Sequence, residues 1–244
     1  MTAMLAIYYR ELLILRKRLF RQLASMSVSP LLYLIAFGLG MGKEVRVGDR
    51  SYLEFLIPGL VAMSSMVQAF AIASEINIAR FYWHIFEEFQ AAPIRNISYV
   101  SGEVLAGITR ALLSTALILL IALCSGVALS YNFFFWLAVV LNSYVFASLA
   151  VGLAMLVKSH ADQALLSNFF ITPMAFLGGT FFPVDRMPHW VQTILSFLPL
   201  THASRAIRAA AFGQPADPYS YFLMAALGTV LFILAFHWVN RARE

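Results

Sequence analysis

The chain has 244 residues, 61% of them hydrophobic and only 12% charged, with a mean hydropathy of +0.79. Soluble domains carry about 25% charged residues, so this composition excludes a water-soluble globular protein and predicts a multi-pass integral membrane protein. The formal net charge of +5 needs no nucleic-acid partner, because surplus Lys and Arg serve to orient membrane loops. The N-terminus has no short apolar core followed by a small-residue cleavage site, so no signal peptide is expected. The single cysteine, Cys124, falls in a span and allows neither a disulfide framework nor a cysteine metal site within one chain. The phosphate-binding patterns G-x-x-x-x-G-K-S/T and G-x-G-x-x-G are both missing, so a nucleotide that powers this protein must bind another polypeptide.

Residues 4–22 predict a helix lying in the membrane surface. Leu5, Tyr8, Leu12, Leu15, Leu19 and Leu23 form its apolar stripe, with Arg10, Lys17 and Arg21 opposite. Anionic headgroups favour that basic face, which places this end in the cytoplasm. The first span is expected at 23–41, close to the ~20 residues that cross a bilayer, with Pro30 as a kink. A charged loop with Lys43, Glu44, Arg46, Asp49 and Arg50 leads to a second span at 53–74. Residues 77–95, NIARFYWHIFEEFQAAPIR, are too polar to cross. As one helix they put Ile78, Phe81, Tyr82, Ile85, Phe86 and Phe89 on one side and Arg80, His84, Glu87 and Glu88 on the other, until Pro93 stops the pattern. Such a segment is either a surface for a neighbouring protein to grip or a plain interfacial anchor, and the helix pattern does not choose.

The third and fourth spans are expected at 99–123 and 133–157, and the fifth at 164–182, broken near its end by Gly178 and Gly179. Residues 183–217 are too polar and proline-broken for one span. They predict two short re-entrant or interfacial helices, one started by Pro188 and ended by Pro199, the next capped by Thr201 and ending near Gly213. A sixth span is expected at 219–239. An even number of spans puts both termini on one side. Arg10, Arg16, Lys17, Arg18, Arg21, Arg80, Arg95, Lys158, Arg241 and Arg243 then outnumber Lys43, Arg46, Arg50, Arg186, Arg205 and Arg208, so both ends are expected in the cytoplasm. Nothing divides the chain into domains.

Charges inside a membrane need a reason. Glu75 closes the second span, and Glu103 and Arg110 share a face of the third. A structural clamp pairing Arg110 with Glu75 or Glu103 and a proton relay are the two readings. Ser64, Ser65, Gln68, Asn168 and Thr172 are polar at mid-membrane depth. They either line a passage for an amphiphilic substrate or hold helices together. The five histidines have no metal-ligand spacing, so no metal is expected. Neither G-x-S-x-G nor H-E-x-x-H occurs, so no catalytic residues are expected.

Together the basic helix at 9–22, the segment RFYWHIFEEFQAAPI at 80–94, the stretch GGTFFPVDRMPHWVQTILSFLPLTHASRAIRAAAFG at 178–213 and the span layout resemble the membrane subunit of an ABC-2 type ABC exporter, over nearly the whole chain. The resemblance implies an all-α, type V exporter-like fold with six membrane helices. It implies two permease chains, expected as a homodimer in the bacterial inner membrane, each receiving a separate ATPase that holds ATP and Mg while this chain binds no cofactor. The N-terminal helix would be the connecting helix, and Arg80, Phe81, Tyr82, Ile85, Phe86, Glu87 and Glu88 would form the ATPase-coupling segment. Spans one, two and five would line a passage, and 183–217 would cap its outer mouth with Phe182, Pro183, Trp190, His202 and Arg205. The substrate would be amphiphilic, lipid-linked, a glycan or drug-like. Trp83 and His84 depart from the family pattern, where a smaller or more acidic pair is expected. An ion-coupled secondary transporter, or a membrane-embedded enzyme acting on lipid-linked sugars, is the competing reading.

Overall fold

The computed structural model describes residues 2–40, 45–92, 94–127 and 129–241. Helix α1 (Thr2–Lys17) is followed by α2 (Leu19–Tyr33), which runs into a π-helical stretch, Leu34–Leu39. Two very short strands, β1 (Arg46–Val47) and β2 (Arg50–Ser51), pair antiparallel. Then come α3 (Tyr52–Phe70), α4 (Ile72–Phe81), α5 (Ile85–Ala91), α6 (Asn96–Cys124) and α7 (Phe133–Leu156). Helix α8 (His160–Leu166), a π-helical stretch (Ser167–Ile171) and α9 (Thr172–Leu177) form one unbroken rod. A 3-10 turn (Val184–Arg186), α10 (His189–Leu195), α11 (Pro199–Ala211) and α12 (Pro218–Arg241) complete the chain.

Among the described residues, five helical stretches are long and apolar enough to cross a membrane: Leu19–Gly38, Tyr52–Phe81, Asn96–Cys124, Phe133–Leu156 and Pro218–Arg241. The expected fifth span at 164–182 is not one of them. The rod there begins at His160 and ends at Leu177, and His160, Asp162 and Gln163 make its first turn polar.

The second of these spans is the centre of the fold, 83% buried against 17% for the first. Helix α3 is buried over most of its length from Tyr52 to Phe70, as a helix enclosed by others must be. It starts with a capping box: Ser51 Oγ accepts from the Glu54 amide and Glu54 returns a bond to the Ser51 amide. Helices α6 and α7 pack on it, and α12 packs on the far side of α7. A Cβ on Gly152 would sit 2.7 Å from the Trp238 ring, so a small residue on α7 makes room for a large one on α12. Helix α11 is no loose surface piece: Leu200, Ala203, Ala206, Ile207 and Ala210 are buried against α3 and α7.

Several expected boundaries shift. The surface helix ends at Lys17, not at residue 22, because the backbone breaks at Arg18 after the basic pair Arg16 and Lys17. Cations at that end suit the helix dipole. The expected end of the first span at Met41 and the loop residues Lys43 and Glu44 lie outside the described residues, as does Arg243. The loop before α3 is a hairpin turning at Gly48 and Asp49, with Gly48 at φ 65°. Pro199 starts α11 instead of ending α10, since proline at a first helical position loses no bond. Thr201 is therefore inside the helix and caps nothing.

Candidate functional site

The segment expected as one helix at 77–95 is two. The central rod runs on to Phe81, the backbone breaks at 82–84, and α5 begins at Ile85. His84 has a left-handed backbone (φ 53°), uncommon for a residue other than glycine. Pro93, expected to end the helix, and the Glu87 side chain lie outside the described residues. Arg80 locks the break from below. Its guanidinium donates to the Ala154 carbonyl in the last turn of α7 and stands over the rings of Phe81 (5.1 Å) and Phe86 (5.4 Å).

This fold changes which aromatic side chains face outward. Phe86 is buried, edge-on to Tyr99 at 5.6 Å, and Phe89 meets the same ring with Arg10 above it. Phe81 and Ile85 are half-buried. The exposed pair is Tyr82 (65%) and Trp83 (45%), beside exposed His84 and Glu88. Of this pair, Tyr82 was expected in the coupling segment, whereas Trp83 is one of the two residues that depart from the family pattern. Tyr82 also stands 6.4 Å from the His160 ring at the start of α8.

A second link runs beneath the break. Asn77 on α4 and Gln163 on α8 are almost fully buried, and Asn77 Nδ2 donates to Gln163 Oε1 at 3.1 Å. Ser167 Oγ donates in turn to the Gln163 carbonyl. Ser167 lines a cleft of about 330 Å³ between α2, α3 and the α8–α9 rod. Ser25 and Ser29 face it from α2, Ser64 and Gln68 from α3, Ser74 from α4, and Thr172 from α9. Among the described residues, no Asp, Glu, Lys or Arg lines it. Tyr33 and Phe176 also line it, in an aromatic cluster with Phe37 and Phe181 whose ring centroids lie 5.0–6.3 Å apart.

Three of the five expected passage residues therefore meet at one cleft: Ser64, Gln68 and Thr172. Ser65 does not. It is fully buried, lies outside the cleft lining and accepts from Asn142 Nδ2 at 2.8 Å, tying α3 to α7. Asn168 is exposed and does not line the cleft. Ser25, Ser29, Ser74 and Ser167 were not singled out in the sequence. Their only signal is small polar residues at helical spacing, which equally marks helix packing.

The membrane charges also regroup. Arg110 lies 3.4 Å from Glu75 and 4.0 Å from Glu11 on α1. Glu103 is only 2% exposed, and its Oε2 has no hydrogen-bond partner, so it is a buried neighbour and not the arginine's clamp. Glu11, unremarked in the sequence, is the third anchor. Burial raises its carboxyl above the ordinary range, opposed by Arg10 (3.2 Å away) and by Arg110. The expected stripe on α1 is rotated. Of the expected stripe Leu15 is buried and Leu5 and Leu12 are exposed, with Ile7 and Glu11 completing the packed side, while Leu19 is exposed on α2. Ile7 sits so close to α6 that a Cβ on Gly102 would fall 2.8 Å from it.

The stretch 183–217 is held onto the spans by polar bonds. Tyr52 Oη donates to the Phe181 carbonyl at 2.8 Å, and Ser204 Oγ to that of Gly178 at 2.6 Å. Arg208 donates to the Gly179 carbonyl and lies 3.9 Å above the Phe55 ring. Burial pulls its pKa down to about 10. Of the expected cap residues, Phe182 and Pro183 are half-buried and Trp190 is exposed. His202 bonds the Ser196 carbonyl at 2.8 Å, and Arg205 pairs with Asp185 at 3.2 Å. Among the described residues, no group of His, Cys, Asp and Glu is placed to hold a metal ion.

Residues 2–212 match the family of ABC-2 type transporters. The chain is 32% identical over 218 residues to Nodulation protein J of Rhizobium leguminosarum bv. trifolii, covering 86% of this chain and 82% of that protein. It is 29% identical over 218 residues to the Inner membrane transport permease YadH of Escherichia coli K12, covering 87% and 82%. Nodulation protein J of Sinorhizobium fredii NGR234 is 29% identical over 214 residues, covering 86% and 82%.

Proposed function

We propose, from the premise that this chain belongs to the ABC-2 type transporter family, that it is the permease subunit of an ATP-driven exporter whose ATPase is a separate chain. ATP and Mg belong to that ATPase, and this subunit contributes no catalytic residue. In this reading the 160–177 rod makes a sixth crossing, both termini face the cytoplasm, and the break at 82–84, which follows two crossings, faces the ATPase. The cleft would form half of a passage completed by a second copy of the chain, for an amphiphilic substrate of lipid-linked, glycan or drug-like type. A cleft lined by hydroxyls, an amide and apolar groups, without a full charge, suits the uncharged part of such a molecule.

The observation that carries the reading is the connection from the exposed break to the cleft. An ATPase gripping Tyr82 and Trp83 holds two large aromatic anchors, the residue types that dominate interface energetics. Arg80 prevents the break from moving independently of α7. Any displacement of α4 then passes through Asn77–Gln163 into α8 and Ser167. The aromatic rings lining the cleft would serve as its closure.

The test is affinity purification of the tagged chain from its native membrane in mild detergent. The expected result is a phosphate-loop ATPase at equal stoichiometry, lost when Tyr82 and Trp83 are both changed to Asp while the chain still inserts. A chain that purifies alone from wild-type membranes would contradict the reading.

A further inference from the structure

A second concavity shares no lining residue with the cleft. It is a groove of about 810 Å³ between the α10–α11 turn and the outer face of α12. Its mouth is polar, with Ser196, His202, Arg205 and Tyr219. Its wall is apolar and follows one face of α12 through Phe222, Leu223, Ala226, Leu227 and Val230. We propose that this groove binds an anionic glycerophospholipid, its phosphate at Arg205 and an acyl chain along α12.

Four features favour that occupant. The first is shape. From Tyr219 to Val230 the helix rises about 16 Å at 1.5 Å per residue, a length suited to an acyl chain lying along it. The second is setting. The α12 span is only 22% buried by the rest of the chain, so in a bilayer its outer face meets lipid and not protein from this subunit. Phe197 and Phe222, at 82% and 74% exposure, both line the groove and add apolar surface to it. The third is charge. Among the described residues Arg205 is the one Lys or Arg side chain lining the groove, and its planar fork suits a phosphate. Its present partner, Asp185, is 83% exposed, and such surface pairs exchange easily for another anion. The fourth is order at the mouth. His202 is buried and donates from Nε2 to the Ser196 carbonyl, which fixes the turn that carries the rim. Tyr219 opens α12 at the height where tyrosines meet headgroups.

The proposal does not depend on the transport reading, because it needs only the fold and a bilayer. The test is native mass spectrometry of the purified full-length chain, titrated in detergent with phosphatidylglycerol, phosphatidylcholine of matched chains, or inorganic phosphate. Phosphatidylglycerol is expected to be retained in preference to phosphatidylcholine. Arg205→Gln should reduce that preference about fivefold, the effect of one cation facing an anionic headgroup, while Arg205→Lys keeps most of it. Ala226→Trp, which fills the apolar wall, should weaken both lipids. Equal retention of the two lipids by the wild type would overturn the proposal. So would an unchanged preference in Arg205→Gln, or displacement of phosphatidylglycerol by inorganic phosphate alone, which would make the site one for a free anion.

Discussion

Replacing Arg110 with Met removes the positive charge on which Glu75, at 3.4 Å, and Glu11, at 4.0 Å, converge. Glu103, 2% exposed on the same helix as Arg110, loses the same counter-charge. The substituted side chain fills much of the space, so the cost is mostly electrostatic. Breaking a buried pair by deleting one partner typically costs about 3–5 kcal/mol, because the other charge is left uncompensated. At about 2–4 °C per kcal/mol for a chain of this size, Tm in detergent should fall by about 6–20 °C. Glu11→Gln should cost less, about 1 kcal/mol, since it removes a charge without orphaning a cation already held by Glu75. The informative quantity is the coupling. In a thermal-unfolding double-mutant cycle, Arg110→Met and Glu11→Gln should be non-additive by about 0.5–3 kcal/mol, with Glu11→Gln partly rescuing Arg110→Met. Additive effects within about 0.5 kcal/mol would refute the claim that α1 is tied to the spans through this arginine.

Asn77→Ala and Gln163→Ala should each leave a buried amide unpaired, at about 1–3 kcal/mol, and should lower substrate-stimulated ATPase activity of the assembled complex more than basal activity. Equal loss of both activities would make the pair a structural bond only. Gly102→Val should push α1 off α6, since Ile7 and the Met4 carbonyl already crowd that position. Limited proteolysis should then cut near Arg10 faster than in the wild type. Asp217 accepts bonds from Ser220 Oγ and from the amides of Tyr219 and Ser220, which holds its pKa below the ordinary 3.8. Its folded pKa is depressed, so its stabilising effect is present above the ordinary value and lost as pH falls through the lower folded value. Asp217→Ala should therefore cost about 1 kcal/mol near neutral pH, with a smaller gap between variant and wild type in acid.

Hydropathy marked most of the spans because a bilayer admits few alternatives to a long apolar helix. The failures have separate causes. Residues 160–177 form a continuous rod, but a polar first turn removes them from the set that composition alone identifies. The hairpin at 46–51 and the Ser51–Glu54 box carried ordinary local signals, V-G-D-R and S-x-x-E, hidden by the reading of that stretch as a charged loop. The break at 82–84 carried none. Aromatic residues continue through it at helical spacing, and the turn depends on tertiary locks: Arg80 on Ala154, and Phe86 under Tyr99. Helix α1 has apolar residues on more than one face, so the pattern could not tell the packed stripe from the exposed one. Glu11 inside the Ile7–Leu15 stripe was the clue to the packed side, because a charge on a buried stripe implies a buried partner.

The central claim is that the exposed break at 82–84 is where an ATPase takes hold. The most direct measurement places a photo-crosslinking amino acid at position 83 in the full-length chain and irradiates native membranes with and without ATP. The account predicts one dominant adduct, to a phosphate-loop ATPase, whose yield changes with ATP, while a probe at buried position 86 gives none. An adduct only to lipid at position 83, in membranes where the transport activity is intact, would contradict it.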